Sequence, residues 1–253
     1  MSTGRHKQER GVGLQPLDEI NGYQVRPGFY NRDGATATTR GVSFTIHSFG
    51  ATACYLLLFQ PQEKEPYVTL KYPEAYHIGN TYSMFVFGLK IEEFEYAFQL
   101  DGPYDEKKGL LFNKENILLD PYARAVTGQR NWGERPEGGA DFIYHARVVE
   151  NNFDWGDIRP TEHPFEDLVI YEMHVRGFTK DASSGVTPGA EGTYEGLRQK
   201  IPYLKDLGVN AVELMPIFEF DEMESTRVVD GERLYNYWGY NTVCFFAPNT
   251  SYT

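Results

Sequence analysis

Cysteine is almost missing from this chain, with Cys54 and Cys244 the only two in 253 residues. Small folds that depend on disulfides carry many more, so no disulfide framework is expected and a reducing compartment fits. The pair is assigned to different domains. Basic charge is also scarce. Lys and Arg total 24 against 36 Asp and Glu, a formal charge of −12, and such a surface repels the phosphates of nucleic acid or an anionic membrane. No run is long and apolar enough to span a bilayer, and Met1–Arg10 has no apolar signal-peptide core. A cytoplasmic location is the expectation. Gly-x-Gly-x-x-Gly, phosphate-loop, Cys-x-x-Cys and His-Glu-x-x-His patterns are absent, and His47, His77, His145 and His163 lack ligand spacing. Neither a cofactor nor a metal is expected.

What is present divides into two periods. From Tyr23 to Leu100 the pattern alternates: Val42, Phe44 and Ile46 with Ser43, Thr45 and His47, and Phe94, Tyr96, Phe98 and Leu100 with Glu95, Ala97 and Gln99. One apolar and one polar face per strand suits an antiparallel sandwich. Tyr55–Phe59 and Met84–Phe87 read as further core strands, bounded by turn signals such as Asp33-Gly34 and Gly102-Pro103.

The period then changes. Leu168–Val175 reads as a parallel strand covered on both faces. Thr193 caps a helix over 194–208 whose Leu197, Ile201, Leu204 and Leu207 share a face, with a kink or restart at Pro202 and a stop at Gly208. Residues 209–217 form the second strand. Strand, crossover helix and strand make a right-handed βαβ unit. Residues 1–20 read as a mobile tail, 21–125 as the sandwich, 126–166 as a connecting segment packed over both halves and 167–253 as the β/α part.

Glu219, Asp221, Glu222 and Glu224 follow the second strand, then Tyr235, Tyr237, Trp238 and Tyr240. Carboxylates beside aromatics suit sugars, whose C–H faces pack on rings while their hydroxyls donate to carboxylates. The plain reading of the acidic residues is a solvated loop. His174 reads as a hydrogen-bonded core residue, and Glu172 and Glu213 as paired groups inside or at a barrel wall. Glu219, Asp221 and Glu222 lack a calcium-loop signature.

Tyr171-Glu172-Met173-His174-Val175-Arg176-Gly177-Phe178-Thr179 resembles the first barrel strand of glycoside hydrolase family 13, in its isoamylase, pullulanase and glycogen-debranching branch. The segments 192–209, Val212-Glu213-Leu214-Met215-Pro216 with 218–222, and Asn236-Tyr237-Trp238-Gly239-Tyr240 are similar to the helix, strand and cleft segment that follow. Asp101–Asp105, Gly109–Asn113 and Leu118–Ala123 resemble the end of a carbohydrate-binding module of family 48 type. The resemblance implies an immunoglobulin-like β-sandwich followed by the start of a TIM (β/α)8 barrel, incomplete in this chain. It implies a debranching-type α-glucan hydrolase that opens α-1,6 branch points of glycogen with retention, through an Asp nucleophile, a Glu acid and a second Asp. Those groups arise on later strands, so no catalytic residue is assigned here. The partner implied is an α-glucan or branched maltooligosaccharide. Tyr240 matches the ring that stacks under the sugar at the cleavage point, with Trp238 and Tyr237 shaping the wall. The alternatives are a non-catalytic α-glucan-binding protein, or a branching enzyme or pullulanase of the same family.

Overall fold

The computed structural model describes residues 14–127, 131–134, 143–150, 152–159, 161–225 and 227–253. Its first strands are β1 (Asp18–Ile20), β2 (Tyr23–Pro27), β3 (Gly34–Thr38), β4 (Gly41–His47), β5 (Ala53–Phe59) and β6 (Pro66–Lys71). There follow β7 (His77–Ile78), β8 (Thr81–Phe87), β9 (Glu95–Asp101), β10 (Tyr104–Asp105), β11 (Leu110–Leu111), β12 (Ala125–Val126) and β13 (Ala146–Arg147). One antiparallel sheet runs β1-β2-β8-β4-β3, with β7 on β8, and the other runs β12-β13-β9-β5-β6. Alternation turns Val25, Val42, Phe44, Met84 and Val86 of the first sheet toward Leu56, Leu58, Tyr96 and Phe98 of the second. The Phe44 and Tyr96 rings meet edge to face across that gap, 5.0 Å between centroids. Each large side chain buried here contributes about 1.5–3 kcal/mol.

The outer faces depart from the simple alternation. Ser43 and Thr45 are buried, because the chain at Phe29 folds over them: Phe29 N–H donates to Ser43 Oγ (2.9 Å) and Thr45 Oγ1 donates to Phe29 O (3.2 Å). On the other sheet Glu95 and Ala97 are covered, with His145 Nδ1 3.3 Å from Glu95 Oε2 and the imidazole stacked on Phe59 at 3.8 Å. The covering His145 comes from the connecting segment, expected to pack over both halves, whose β12 and β13 join the second sheet. The expected tail also yields a strand, since β1 pairs with β2. Residues 1–13 of that tail lie outside the described residues.

The β/α part contains β14 (Ile170–Met173), α1 (Val175–Thr179), α2 (Tyr194–Gln199), α3 (Ile201–Asp206) and β15 (Ala211–Leu214). β14 and β15 are parallel, Ile170 opposite Ala211 and Met173 opposite Leu214. Both strands are shorter than the apolar runs suggest. Leu168 closes a 3-10 turn by bonding Phe165 O (3.2 Å), and the strand stops at Met173 because His174 caps α1. Thr193 Oγ1 accepts from Gly196 N–H as the cap of α2, and the helix restarts at Lys200, just before Pro202. Of the expected helical face, Leu204 is buried and Leu197 partly so, whereas Ile201 and Leu207 are exposed. Glu172 and Glu213 face each other in register but are exposed rather than paired inside a wall.

After β15 come β16 (Phe218–Phe220), β17 (Val228–Val229), β18 (Glu232–Arg233) and β19 (Thr242–Pro248). β16 and β19 pair antiparallel across a bulge. β19 packs against the sandwich, which brings the two cysteines, assigned to different domains, into one apolar cluster. Cys244 and Ala247 sit in the same apolar cluster as Cys54, and Cys244 Sγ donates to Ala123 O at 3.2 Å. Both thiols are free and buried.

Candidate functional site

The aromatic segment 235–240 lies against the C-terminal end of β14, and its placement begins with His174. That residue leaves β14 in extended backbone and caps α1, its Nδ1 accepting from Gly177 N–H at 3.1 Å. Its Nε2 lies 2.7 Å from the carbonyl oxygen of Tyr237. A nitrogen facing an N–H must carry the lone pair and one facing a carbonyl must carry the proton, so the network assigns the neutral Nε2–H tautomer. The imidazole stacks on Tyr237 (4.2 Å, 14°), and Tyr252 Oη lies 3.2 Å from Nε2. Desolvation first, then the Arg176 charge, lowers the His174 pKa, against the pull of the Tyr237 carbonyl. The expected core role of His174 and this geometry agree.

Gly239 shapes the turn. Its φ is +76°, a region L side chains avoid. A Cβ there would lie 2.5 Å from Cε1 of the buried Phe220 ring. The turn therefore packs directly on the core, with Gly239 N–H bonded to Asn236 Oδ1 at 3.2 Å. Tyr240 emerges 70% exposed and Trp238 54% exposed, while Tyr237 is held between His174 and Trp132. The three predicted binding rings thus stand on one turn, Tyr240 the freest of them.

Two of the acidic loop residues overturn the solvated reading, which the exposed Glu224 keeps. Glu219 and Glu222 are fully buried. Glu219 accepts from Thr250 N–H (2.7 Å) and Thr250 Oγ1 (3.3 Å), and burial pushes its pKa up to about 7. Glu222 Oε1 accepts from Gly133 N–H (2.9 Å) and Ser251 Oγ (3.3 Å), while Asn236 N–H donates to the Glu222 carbonyl (2.8 Å). Its pKa is also raised by burial. Together the two carboxylates tie the loop after β16 to residue 133 and to the turn at 250–252. Asn249 caps that turn through Ser251 N–H (2.8 Å), a role that its Asn-x-Ser pattern did not suggest.

Trp132 is the residue that sequence reasoning missed. It stacks parallel to Tyr252 at 6.1 Å, contacts Phe220, Tyr235 and Tyr237, and carries the Arg176 guanidinium 4.6 Å above its ring. A lone Trp in an aperiodic segment gave no signal. The resulting surface offers rings that can pack on an apolar sugar face, while Glu219 and Glu222 are committed to their buried partners.

Comparison with known proteins supplies the family. Residues 32–123 match carbohydrate-binding module 48 (isoamylase N-terminal domain). The chain is 38% identical over 227 residues to the chloroplastic isoamylase SU1 of Zea mays, covering 87% of this chain and 28% of that one. It belongs to the debranching branch of glycoside hydrolase family 13. The glycogen debranching enzyme of Serratia proteamaculans is 32% identical over 241 residues, 91% of this chain and 35% of that one. Among solved structures, a pullulanase from Anoxybacillus sp. LM18-11, complexed with maltotetraose, aligns with a TM-score of 0.62 and 28% identity, over 88% of this chain and 30% of the other. The chain spans about a third or less of the length of these relatives. Residues 32–123, which match that module, form the immunoglobulin-like β-sandwich expected of it.

Proposed function

We propose that this chain is the N-terminal part of a glycogen-debranching-type α-glucan hydrolase, and that its β14–β15 unit is the start of the catalytic TIM (β/α)8 barrel. In this reading residues 21–125 with β13 form the glucan-associated module, residues 167–253 begin the barrel, and the protein works in the cytoplasm. The observation that carries it is the position of the Tyr237–Tyr240 turn. It sits at the C-terminal end of a parallel strand, through the 2.7 Å contact of His174 with Tyr237 O, where barrel enzymes build their active sites. The similarity to an isoamylase and to a protein named glycogen debranching enzyme supports the same reading.

Retaining cleavage needs a nucleophilic carboxylate and an acid about 5–5.5 Å apart. Glu219 and Glu222 do not supply them, being enclosed and committed to Thr250, Gly133 and Ser251. The role assigned to this chain is therefore binding. Tyr240 stacks under a glucose ring, with Trp238 and Tyr237 as the wall beside it. Tyr240→Ala should weaken maltoheptaose binding about tenfold by isothermal titration. Unchanged affinity would remove the assignment.

A further inference from the structure

The turn that presents Tyr240 is fixed at few points: Asn236 N–H on the Glu222 carbonyl, Gly239 N–H on Asn236 Oδ1, and Tyr237 O on His174. The last of these links the wall to the barrel-like unit, because the same imidazole caps α1. We infer that His174 is the positioning residue of the Tyr237–Tyr240 glucan wall, clamping the Tyr237 peptide to the start of α1 and releasing it when the imidazole takes a second proton. The inference rests on the reading of that turn as the glucan site.

The clamp works in one protonation state. Nδ1 must accept from Gly177 N–H while Nε2–H donates to Tyr237 O. A proton on Nδ1 would meet the Gly177 N–H head on, and the rigid imidazolium, turning away from that N–H, would draw Nε2–H off the Tyr237 carbonyl, a movement the flexible Gln amide is not forced to make. The groups around it do not favour the cation. Arg176 of α1 approaches with like charge. Tyr252 from the C-terminal turn brings a phenol that burial keeps protonated. Tyr237 contributes a neutral ring face. Glu222, a carboxylate that faces Arg176 and Tyr252, has its own pKa raised by burial. Acid therefore opens the wall instead of charging it in place.

Two substitutions separate the halves of the clamp. The amide of His174→Asn reaches where Nδ1 stood and keeps a helix cap, since Asn is a favoured N-cap, but it cannot reach Tyr237 O. The longer amide of His174→Gln reaches where Nε2 stood and can still donate to that carbonyl. In the 253-residue chain at pH 7.5, His174→Asn should bind maltoheptaose about fivefold to tenfold more weakly, the worth of one buried hydrogen bond. His174→Gln should stay within about twofold of wild type. Wild-type affinity should fall between pH 7 and 5, and that fall should be absent in His174→Gln. A readout free of glucan is acrylamide quenching in a Trp155→Phe background, where Trp132 and Trp238 remain. Quenching should rise in acid with His174 and stay flat with His174→Gln. His174→Asn binding as wild type while Tyr240→Ala is impaired would overturn the inference alone. Equal binding by Tyr240→Ala and wild type would overturn the glucan reading. Quenching that ignores His174 would overturn the clamp in either case.

Discussion

Replacing Glu219 by Gln should leave the protein little changed in weak acid and make it more stable in weak alkali. The carboxyl sits fully buried on β16, accepting from Thr250 N–H and Thr250 Oγ1, and its pKa is raised by burial from 4.5 to about 7. A raised folded-state pKa means that between about pH 4.5 and 7 the folded chain holds a proton the unfolded chain has released. The contribution is complete below the unfolded value and is lost as pH climbs through 7. The gap between the two values corresponds to about 3 kcal/mol. The Gln amide oxygen can accept from Thr250 N–H and its amide nitrogen can donate to Thr250 Oγ1, with no charge to desolvate at any pH. Urea unfolding of wild type and Glu219→Gln from pH 5 to 8.5 reads the effect, because titrating groups that do not interact with Glu219 cancel in the difference. The stability advantage of the Gln variant should grow by about 3 kcal/mol over that range. A flat difference, or a variant weaker at every pH, would refute the account of Glu219 as a neutral buried carboxyl near neutrality.

The remaining predictions concern neighbouring devices. Gly239→Ala should destabilise the chain by at least about 2 kcal/mol, read as a lower urea midpoint, because left-handed backbone and the Phe220 ring both oppose a Cβ there. Asp120, fully buried between Tyr96 Oη (2.7 Å) and Tyr122 N–H (2.9 Å), has its pKa raised by burial from 3.8 to about 6. Its stability contribution also fades as pH rises through 6, so Asp120→Asn should flatten the wild-type decline in urea midpoint between about pH 4 and 6. Thr193→Ala should lower unfolding free energy by about 1 kcal/mol through loss of the α2 cap.

The sandwich was legible because alternation is a local pattern. Phe44, Tyr96 and Phe98 announce their inward face in a window of a few residues, and they meet in the core as that pattern demands. The order of the β/α part was legible for the same reason, together with the cap at Thr193 and the restart near Pro202. The burial of Glu219 and Glu222 was not. Their partners Thr250, Ser251 and Gly133 lie from 29 to 89 residues away, and no local window contains both ends of such a bond. The same distance hid Trp132, whose ring contacts run to Arg176, Phe220 and Tyr252. The pairing of β19 with β16 was missed because its inward side chains are small, Cys244 and Ala247, beside exposed Phe245 and Phe246. A strand whose largest rings face outward gives a false phase.

The candidate site also shows where its rigidity originates. A parallel pair of four-residue strands is a weak platform, and here Ile170 and Val212 on the pair, with Ile201 of α3 and its C-cap Leu207, remain exposed. The aromatic turn does not depend on that pair alone. It is held by His174 from one side, by Phe220 beneath Gly239, and by Glu222, which gathers Gly133, Ser251 and the backbone of Asn236. β16 in turn is paired to β19, and β19 is anchored in the sandwich core through Cys244 and Ala247. The path from the core of the first sheets to the Tyr240 ring is thus a chain of buried contacts. In the proposed reading, that packing is what fixes the entrance of the glucan cleft.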